Sequence, residues 1–484
     1  MNRLLLPLFS ILVMSLLPAL VEAQRNLTYL DLISRADRQD VYQTPVFIPD
    51  ANSDSMTYGL TFRINHRFLT FKKEDKSYRT GSARQGNQEN YSAPIRVTFE
   101  VFRVPEDKFP TKNKKRKKRR EALKELNLPE MESVDRQFWS DTAYTSNYQQ
   151  TRTNQLFVQG GVQTRLAVGF YICIFEINQG SGGNNEYTRR IPIAIRPLDE
   201  MRNFPAHWVM NSKDGNYPLI NMGNRVPYGK NFDVLFPVTD YSSSKTYSIK
   251  INRLTVDESD TTVKNSVYTA EINQDQFFGK TEVELKGLAS KPVISVKSGG
   301  NSGQTYAVVN IPGKELPNDR YRLVVTDSEN QQVMKTYFQS YWRDMPISLL
   351  NLDVAINMLR FILPEKKLEE LKEGNFKNRR KKFEAFWKER DQTPDTEYNE
   401  LMAEYYRRID YAFREFGSIR VPGYQTDQGK VYIRHGKPAS RDKKFPSNEP
   451  AVEIWEYPKQ NLQFIFQATS GFGEYELISR KELK

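Results

Sequence analysis

Apolar and polar residues alternate with a period of two from about residue 58 to residue 196, a pattern typical of strands that bury one face. The alternating sets are Leu60, Phe62 and Ile64, then Ile95, Val97, Phe99 and Val101, then Ile191, Ile193 and Ile195. Residues 170–177 are largely apolar on both faces, as expected of a central strand. We predict an antiparallel β-sandwich over residues 24–198, interrupted by a basic insertion at 111–128 and a polar stretch around 137–154.

A second region of alternation extends from about Pro218 to Tyr341. Its apolar sets are Phe232, Val234 and Phe236, then Tyr247, Ile249 and Ile251, then Tyr321, Leu323 and Val325. A Pro-Asn-Asp turn at 317–319 precedes the last set, since proline fixes φ and Asn and Asp bond to their own backbone. The spacing of short strands predicts an immunoglobulin-like β-sandwich over residues 199–345.

The period changes to that of helices after Pro346. Phe383, Phe386 and Trp387 lie at i, i+3 and i+4, which predicts an amphipathic helix. Thr393 and Pro394 are suited to cap and start another helix. Short strands are expected at 430–434, 452–457 and 462–467. The chain is therefore predicted to be mostly β, with an α+β C-terminal domain at 346–484 made of helices and a small sheet.

The first 23 residues have the features of a cleavable secretory signal peptide. Arg3 precedes an apolar stretch from Leu4 to Leu20, and Ala23 ends a suitable cleavage site. Gln24 and not a cysteine stands directly after that site, so we expect no bacterial lipid anchor on an N-terminal cysteine. No later stretch is long and apolar enough to span a bilayer. We expect an exported protein of the periplasm or cell envelope whose mature chain has no transmembrane segment and is soluble or peripheral to a membrane.

Positive charge is concentrated in one segment. The net charge is +12, and eight of the positive charges fall almost without interruption in the insertion: Lys112, Lys114, Lys115, Arg116, Lys117, Lys118, Arg119 and Arg120. In a cytoplasmic protein such a run would suggest nucleic acid. For an exported protein it instead predicts contact with an anionic envelope surface, lipid or lipopolysaccharide, whereas a solvated loop without a partner is the alternative.

Four blocks of the C-terminal region occur together. They are Phe386-Trp387-Lys388-Glu389-Arg390-Asp391, then Asn399-Glu400 with Glu404-Tyr405-Tyr406-Arg407-Arg408, then Gly423-Tyr424-Gln425-Thr426-Asp427-Gln428-Gly429-Lys430-Val431-Tyr432-Ile433, and then Glu453-Ile454-Trp455-Glu456-Tyr457. In order and spacing they resemble the GWxTD domain family of exported bacterial proteins, with Tyr424 in place of the tryptophan of the name. The resemblance covers roughly residues 349–466 and implies an exported protein, but no particular activity.

Two interpretations of the pentapeptide Gly423–Asp427 stay open. In the first, Gly423 permits a tight turn and the side chains of Thr426 and Asp427 bond to neighbouring backbone N–H groups, so the motif shapes a loop between helix and sheet. In the second, Asp427 lines a ligand pocket with Arg434 and with Arg407 or Arg408.

Residues suited to catalysis are few. The histidines His66, His207 and His435 have no metal-site spacing, the single cysteine Cys173 lies in an apolar run, and no Gly-x-Ser-x-Gly elbow is present. Glu453 and Glu456 flank Trp455 and are interpreted as solvent-facing charges. We expect no metal and no cofactor. Glu453 and Glu456 could in principle do acid/base work, but His435 is the best candidate for catalysis, and Asp427 is a further one.

Two hypotheses follow for the function. The first is a non-catalytic envelope protein that acts as a binding or assembly factor, with the basic run touching an envelope protein or anionic surface. The second is an envelope hydrolase or carbohydrate-active enzyme with a site around Asp427, Arg434 and His435.

Overall fold

The computed structural model divides the chain into two compact units. One is Gln39–Asp344, and the other joins Met345–Lys484 to residues before position 39. The structure describes residues 28–35, 39–50, 54–74, 90–110, 116–180, 187–197, 206–212, 214–254, 263–299, 304–418, 421–447, 449–469 and 474–483. The predicted signal peptide lies outside these residues.

The first β-sandwich has two antiparallel sheets. The bounds are β1 Val41–Pro49, β2 Ser55–Asn65, β3 Lys72–Lys73, β4 Tyr91–Arg103, β5 Ser133–Thr145, β6 Phe157–Ala167, β7 Gly169–Asn178 and β8 Tyr187–Ile195. One sheet has the order β1-β2-β6, and the other β3-β4-β7-β8 with β5 also paired to β4. The first helix of the chain, α1 Tyr29–Arg35, belongs to the other unit. Two further short helices accompany the sandwich: α2 Arg116–Glu125 and α3 Tyr148–Thr151. The alternating residues predicted from the sequence, such as Phe62 and Phe99, fill the core between the sheets.

The second β region contains β9 His207–Val209, β10 Asn216–Pro218, β11 Arg225–Pro227, β12 Phe232–Val238, β13 Tyr247–Leu254, β14 Val263–Ile272, β15 Phe277–Phe278, β16 Thr281–Lys286, β17 Val293–Ser298, β18 Thr305–Ile311, β19 Arg320–Asp327 and β20 Gln332–Tyr341. Two sheets, β15-β18-β12-β9 and β11-β20-β19-β13-β14, enclose one core. A third sheet, β10-β17-β16, completes the region. The buried residues of this third sheet pack against Val46 and Ile48 of β1, so the two β regions are in contact.

The other unit contains α1 Tyr29–Arg35, α4 Leu352–Met358, α5 Glu365–Lys372, α6 Phe376–Lys388, α7 Glu400–Glu415 and α8 Asp427–His435. An antiparallel sheet follows, with β21 Ser440–Lys444, β22 Val452–Tyr457, β23 Leu462–Ala468 and β24 Tyr475–Glu482 in that order. The predicted fold class, mostly β with a helix-rich C-terminal region and a small sheet, is confirmed. Among the described residues no helix combines the length and apolar character needed to cross a membrane.

Three local predictions were wrong. Residues 430–434 belong to helix α8 and not to a strand, because Thr426 caps a helix that begins at Asp427. The cap of α7 is Asn399, whose side chain accepts a hydrogen bond from the backbone N–H of Met402 at 2.7 Å, and not Thr393. Strand β5 fills much of the stretch expected to interrupt the first sandwich.

Candidate functional site

The pentapeptide Gly423–Asp427 joins helix α7 to helix α8 through a tight turn that only glycine fits. A Cβ atom on Gly423 would lie 1.9 Å from the carbonyl oxygen of Ala412 on α7. A Cβ atom on Gly429 would lie 1.8 Å from the carbonyl oxygen of Gly423. Both distances are far below van der Waals contact, so the backbones of α7, the turn and α8 meet at these two glycines.

Thr426 and Asp427 form the start of α8. The Thr426 hydroxyl accepts a hydrogen bond from the backbone N–H of Gly429 at 3.0 Å and donates one to the carbonyl oxygen of Gly423 at 2.8 Å. The Asp427 carboxylate accepts from the backbone N–H of Leu477 on β24 at 3.1 Å and from Lys430 at 3.0 Å. Partial burial acts to raise the pKa of Asp427, but these hydrogen bonds outweigh it and hold the pKa below its usual value. Asp427 thus ties the helix to the sheet as a carboxylate.

Tyr424 is buried in an aromatic cluster. Its ring lies 5.3 Å from that of Tyr29 on α1 and 6.2 Å from that of Phe413 on α7. The Tyr29 hydroxyl in turn donates to Asp410 at 2.6 Å, and Asp410 also accepts from the backbone N–H of Ile347 at 3.0 Å. Helix α1 is therefore held against the pentapeptide, and Tyr424 acts through its ring, which explains how a tyrosine serves in this position.

A fully buried carboxylate, Glu453 on β22, lies next to α8. It accepts hydrogen bonds from the indole N–H of Trp455 at 2.8 Å, from the side chain of Gln428 at 3.2 Å, and from Arg441. The ammonium of Lys443 lies 3.5 Å away. Burial acts to raise the pKa of Glu453, yet the hydrogen bonds from Arg441 and Trp455 leave it lowered. The expectation that Glu453 faces solvent was wrong, because Glu453 shares the inward face of β22 with Trp455 and Tyr457.

The structure separates the sequence-predicted acid and base. Asp427 opens α8 and His435 ends it, so eight residues at 1.5 Å rise place their backbones about 12 Å apart. His435 bonds through Nδ1 to the Gln460 side chain at 2.6 Å and packs on the ring of Phe464 at 5.0 Å. The two side chains therefore have different partners and do not form a common catalytic cluster.

The neighbouring arginines are also dispersed. Arg407 donates to the hydroxyl of Tyr398 at 2.8 Å, and Arg408 pairs with Glu404 one turn earlier on α7 at 2.8 Å. Arg434 instead donates from Nε to the carbonyl oxygen of Phe361 at 2.8 Å. Arg434 also lines a cleft.

That cleft has a volume of about 410 Å³ and lies where α8 meets the segment between α4 and α5. It is lined by Arg360, Phe361, Ile362, Leu363, Pro364 and Arg434. The guanidinium of Arg360 lies 5.1 Å from the ring centre of Phe361 and 5.9 Å from that of Tyr424. Sequence reasoning missed Arg360, because a single arginine in the apolar stretch from Leu359 to Leu363 carries no motif.

The remaining motif residues hold the end of α6. Trp387 is buried, and its carbonyl oxygen accepts from the Asn399 side chain at 2.9 Å, which links α6 to the cap of α7. Arg390 donates to the carbonyl oxygen of Phe386 at 2.7 Å and stacks on its ring. The Asp391 carboxylate accepts from the backbone N–H of Thr393 at 3.0 Å, which forms an Asx turn. All three serve local structure.

The basic insertion contains helix α2, whose C-terminal end is held against the β-sheet. Arg190 on β8 donates to the carbonyl oxygens of Leu123 at 2.7 Å and Leu126 at 2.8 Å. Leu123 and Leu126 pack, with the buried Leu128, against the outer face of the sheet around Phe102. Arg116, Lys117, Lys118, Arg119 and Arg120 occupy the first half of the helix, and Lys112, Lys114 and Lys115 lie outside the described residues.

Comparison with known proteins supports the resemblance found in the sequence. Residues 321–484 match the model of the GWxTD domain, so the match begins in the last two strands of the second β region and takes in the whole C-terminal unit from residue 345. The predicted resemblance is confirmed over this span. No curated protein matches the chain.

One solved structure similar to this chain is a type II cohesin dyad from the adaptor ScaA scaffoldin of Acetivibrio cellulolyticus. It shares 13% sequence identity and covers 62% of this chain and 93% of its own, with a TM-score of 0.16. A similarity this weak carries no argument about fold or function.

Proposed function

We propose that this chain, which carries a GWxTD domain at residues 321–484, is a non-catalytic cell-envelope binding or assembly protein that attaches to an anionic surface through helix α2. The observation that supports the proposal is the attachment of the C-terminal end of that helix to the β-sheet. A run of basic residues on an attached helix forms a defined contact surface. The same run in an unattached loop would only be solvated by water.

Two independent kinds of contact attach the C-terminal end of α2 to the β-sheet. Arg190 bonds to carbonyl oxygens at the C-terminal end of the helix, where a helix has unpaired acceptors and favours positive charge. Leu123, Leu126 and Leu128 cover the outer face of the β-sheet. Both contacts involve residues from position 123 onward, so neutralising residues 116–120 leaves these two contacts in place.

The first half of α2 is unfavourable for the helix by itself. Arg116 and Arg120 are four residues apart on one helix face, and like charges at this spacing destabilise a helix by about 0.2–0.5 kcal/mol. Cations near a helix N-terminus also oppose the helix dipole. An anionic surface would relieve both effects, with about 1 kcal/mol gained for each basic residue at a lipid surface.

The predicted signal peptide supplies the location for this contact. Export would bring the helix to phospholipid headgroups and lipopolysaccharide phosphates, which are the anionic surfaces of an envelope. The proposed surface is therefore lipid phosphate.

The test is binding of the purified mature protein to vesicles with and without anionic phospholipid. Changing the five residues Arg116–Arg120 to glutamine should weaken binding to anionic vesicles by about a hundredfold or more at low salt, since several contacts of about 1 kcal/mol are lost. Binding to neutral vesicles should stay weak for both proteins, and added salt should weaken the wild-type protein towards the variant.

A matched control removes five charges elsewhere. Five exposed basic residues of α5 and α6 have no carboxylate of the described residues within ion-pair distance: Lys366, Lys377, Arg380, Lys381 and Lys388. Changing these five to glutamine should leave most of the anionic-vesicle affinity in place. Equal loss in the two variants would show that net charge alone determines binding, and unchanged binding in the α2 variant would refute the proposal.

A further inference from the structure

We propose that the cleft between Arg360 and Arg434 in the C-terminal unit binds a small ligand that carries a carboxylate or phosphate group on a short apolar body. The inference does not rest on the function proposed for helix α2, which belongs to the other compact unit.

The cleft contains two guanidinium groups without an acidic partner. No carboxylate among the described residues lies within ion-pair distance of Arg360 or Arg434, although many other arginines of the chain, such as Arg379 and Arg441, have one. Arg434 uses Nε to bond to the carbonyl oxygen of Phe361, so its terminal NH₂ groups keep their donors available. An oxyanion would meet unused donors on both side chains.

The two arginines are held close to the same aromatic residues. Arg360 lies over the rings of Phe361 and Tyr424, while Arg434 is bonded to the backbone of Phe361. Burial raises the pKa of the Tyr405 phenol, and the positive charges of Arg360 and Arg434 both oppose that rise, so both act on one ring. Arg434 lies in the last turn of α8, where the helix dipole favours a positive charge. The dipole does not explain why a second positive charge, that of Arg360, lies in the same cleft.

Guanidinium geometry and the apolar lining define the ligand class. The planar fork of arginine matches the two oxygens of a carboxylate or phosphate. The other lining residues from Phe361 to Pro364 are apolar, and Ile362 is 41% exposed at the cleft surface. A volume of about 410 Å³ lies in the range of small-molecule sites. A short alkyl chain with one anionic end group fits this combination.

The experiment uses the full mature chain and three probes of equal chain length: hexanoate, hexyl phosphate and hexanol. Ligand-observed NMR titration should give saturable binding of at least one anionic probe, with a dissociation constant of about 1 mM, and none of hexanol. A preference between hexanoate and hexyl phosphate would identify the natural end group as carboxylate or phosphate.

Three variants define the site. Arg360→Gln and Arg434→Gln should each weaken binding of the anionic probe about tenfold, and Arg360→Lys should recover only part of it because lysine lacks the fork. The matched control is Arg414→Gln, an exposed arginine of α7 outside the cleft, which should bind like the wild-type protein.

Thermal unfolding of each variant separates loss of the cleft from loss of the fold. The proposal is overturned if neither anionic probe binds saturably, or if the Arg360→Gln/Arg434→Gln double variant, still folded, binds as well as the wild-type protein. Neither result affects vesicle binding by α2, and the glutamine variant of Arg116–Arg120 should bind the probes normally.

Discussion

The pentapeptide Gly423–Asp427 and the basic helix α2 contribute to the protein in opposite ways. In the pentapeptide, Thr426 and Asp427 bond to backbone groups of their own unit, and Gly423 touches the backbone of α7. The described contacts of helix α2 are made by residues that follow its basic first half. The segment with the most recognisable sequence is thus a structural junction, and the segment without a motif is the better candidate for an external contact.

The largest effect should come from Gly423→Ala. Its Cβ atom would meet the Ala412 carbonyl oxygen at 1.9 Å, and backbone on both sides leaves no side chain to move aside. We expect a loss of about 3 kcal/mol or more in the free energy of unfolding of the C-terminal unit, measured by urea denaturation. Gly279→Ala is the control, because a Cβ atom there meets nothing closer than 4.0 Å. Near-equal stability of the two variants would contradict the junction.

The next effect should come from Glu453→Gln, which removes a buried charge between α8 and the sheet. Arg441 would lose its carboxylate partner, but its side chain is 38% exposed and water replaces part of the interaction. We expect a loss of about 2 kcal/mol in the free energy of unfolding at neutral pH. The control is Glu456→Gln on the opposite face of β22, where a much smaller loss is expected.

The same variant should change the dependence of stability on pH. The pKa of Glu453 is lower in the folded protein than the ordinary value of 4.5, so its contribution is complete above that value and is lost as pH falls below it towards the folded pKa. The stability difference between wild type and Glu453→Gln should therefore shrink on acidification below about pH 4.5. A difference that grows there would show that Glu453 is protonated in the folded protein.

A smaller effect is expected from Thr426→Ala at the start of α8. The hydroxyl satisfies the backbone N–H of Gly429, and loss of such a cap typically costs about 1 kcal/mol. Thr426→Ser should retain most of the stability because serine keeps the hydroxyl. Equal losses in the two variants would assign the role of Thr426 to its methyl group instead.

The sequence predicted the strands better than it predicted this junction. Period-two alternation located the strands around Phe62, Phe99 and Phe236, since burial of one face determines both pattern and structure. Residues 430–434 were misassigned because Val431 and Ile433 alternate as in a strand. The Thr426 cap and the close contact of Gly429 with Gly423 favour a helix at these residues. The contact between the two glycines cannot be recognised from the sequence alone.

The candidate sites show a similar division. Glu453 lies two and four residues before Trp455 and Tyr457, so all three side chains share one face of the strand. This spacing is present in the sequence, but the charge of Glu453 led to the prediction that it faces solvent. The pairing of Arg360 with Arg434 has no such signal. These two residues are 74 positions apart and meet only because α8 packs beside the segment before α5.

The smallest effect on stability is expected from the glutamine variant of Arg116–Arg120 in α2. Removing like charges from the first half of the helix should change the free energy of unfolding by less than about 0.5 kcal/mol and slow hydrogen exchange of the helix amides. Arg190→Gln should instead speed that exchange, because the carbonyl oxygens of Leu123 and Leu126 lose their donor. If neutralisation destabilised the protein by more than about 1 kcal/mol, the basic residues would have partners within the fold. The contrast with the pentapeptide would then be lost, and with it the reason to seek an external partner for α2.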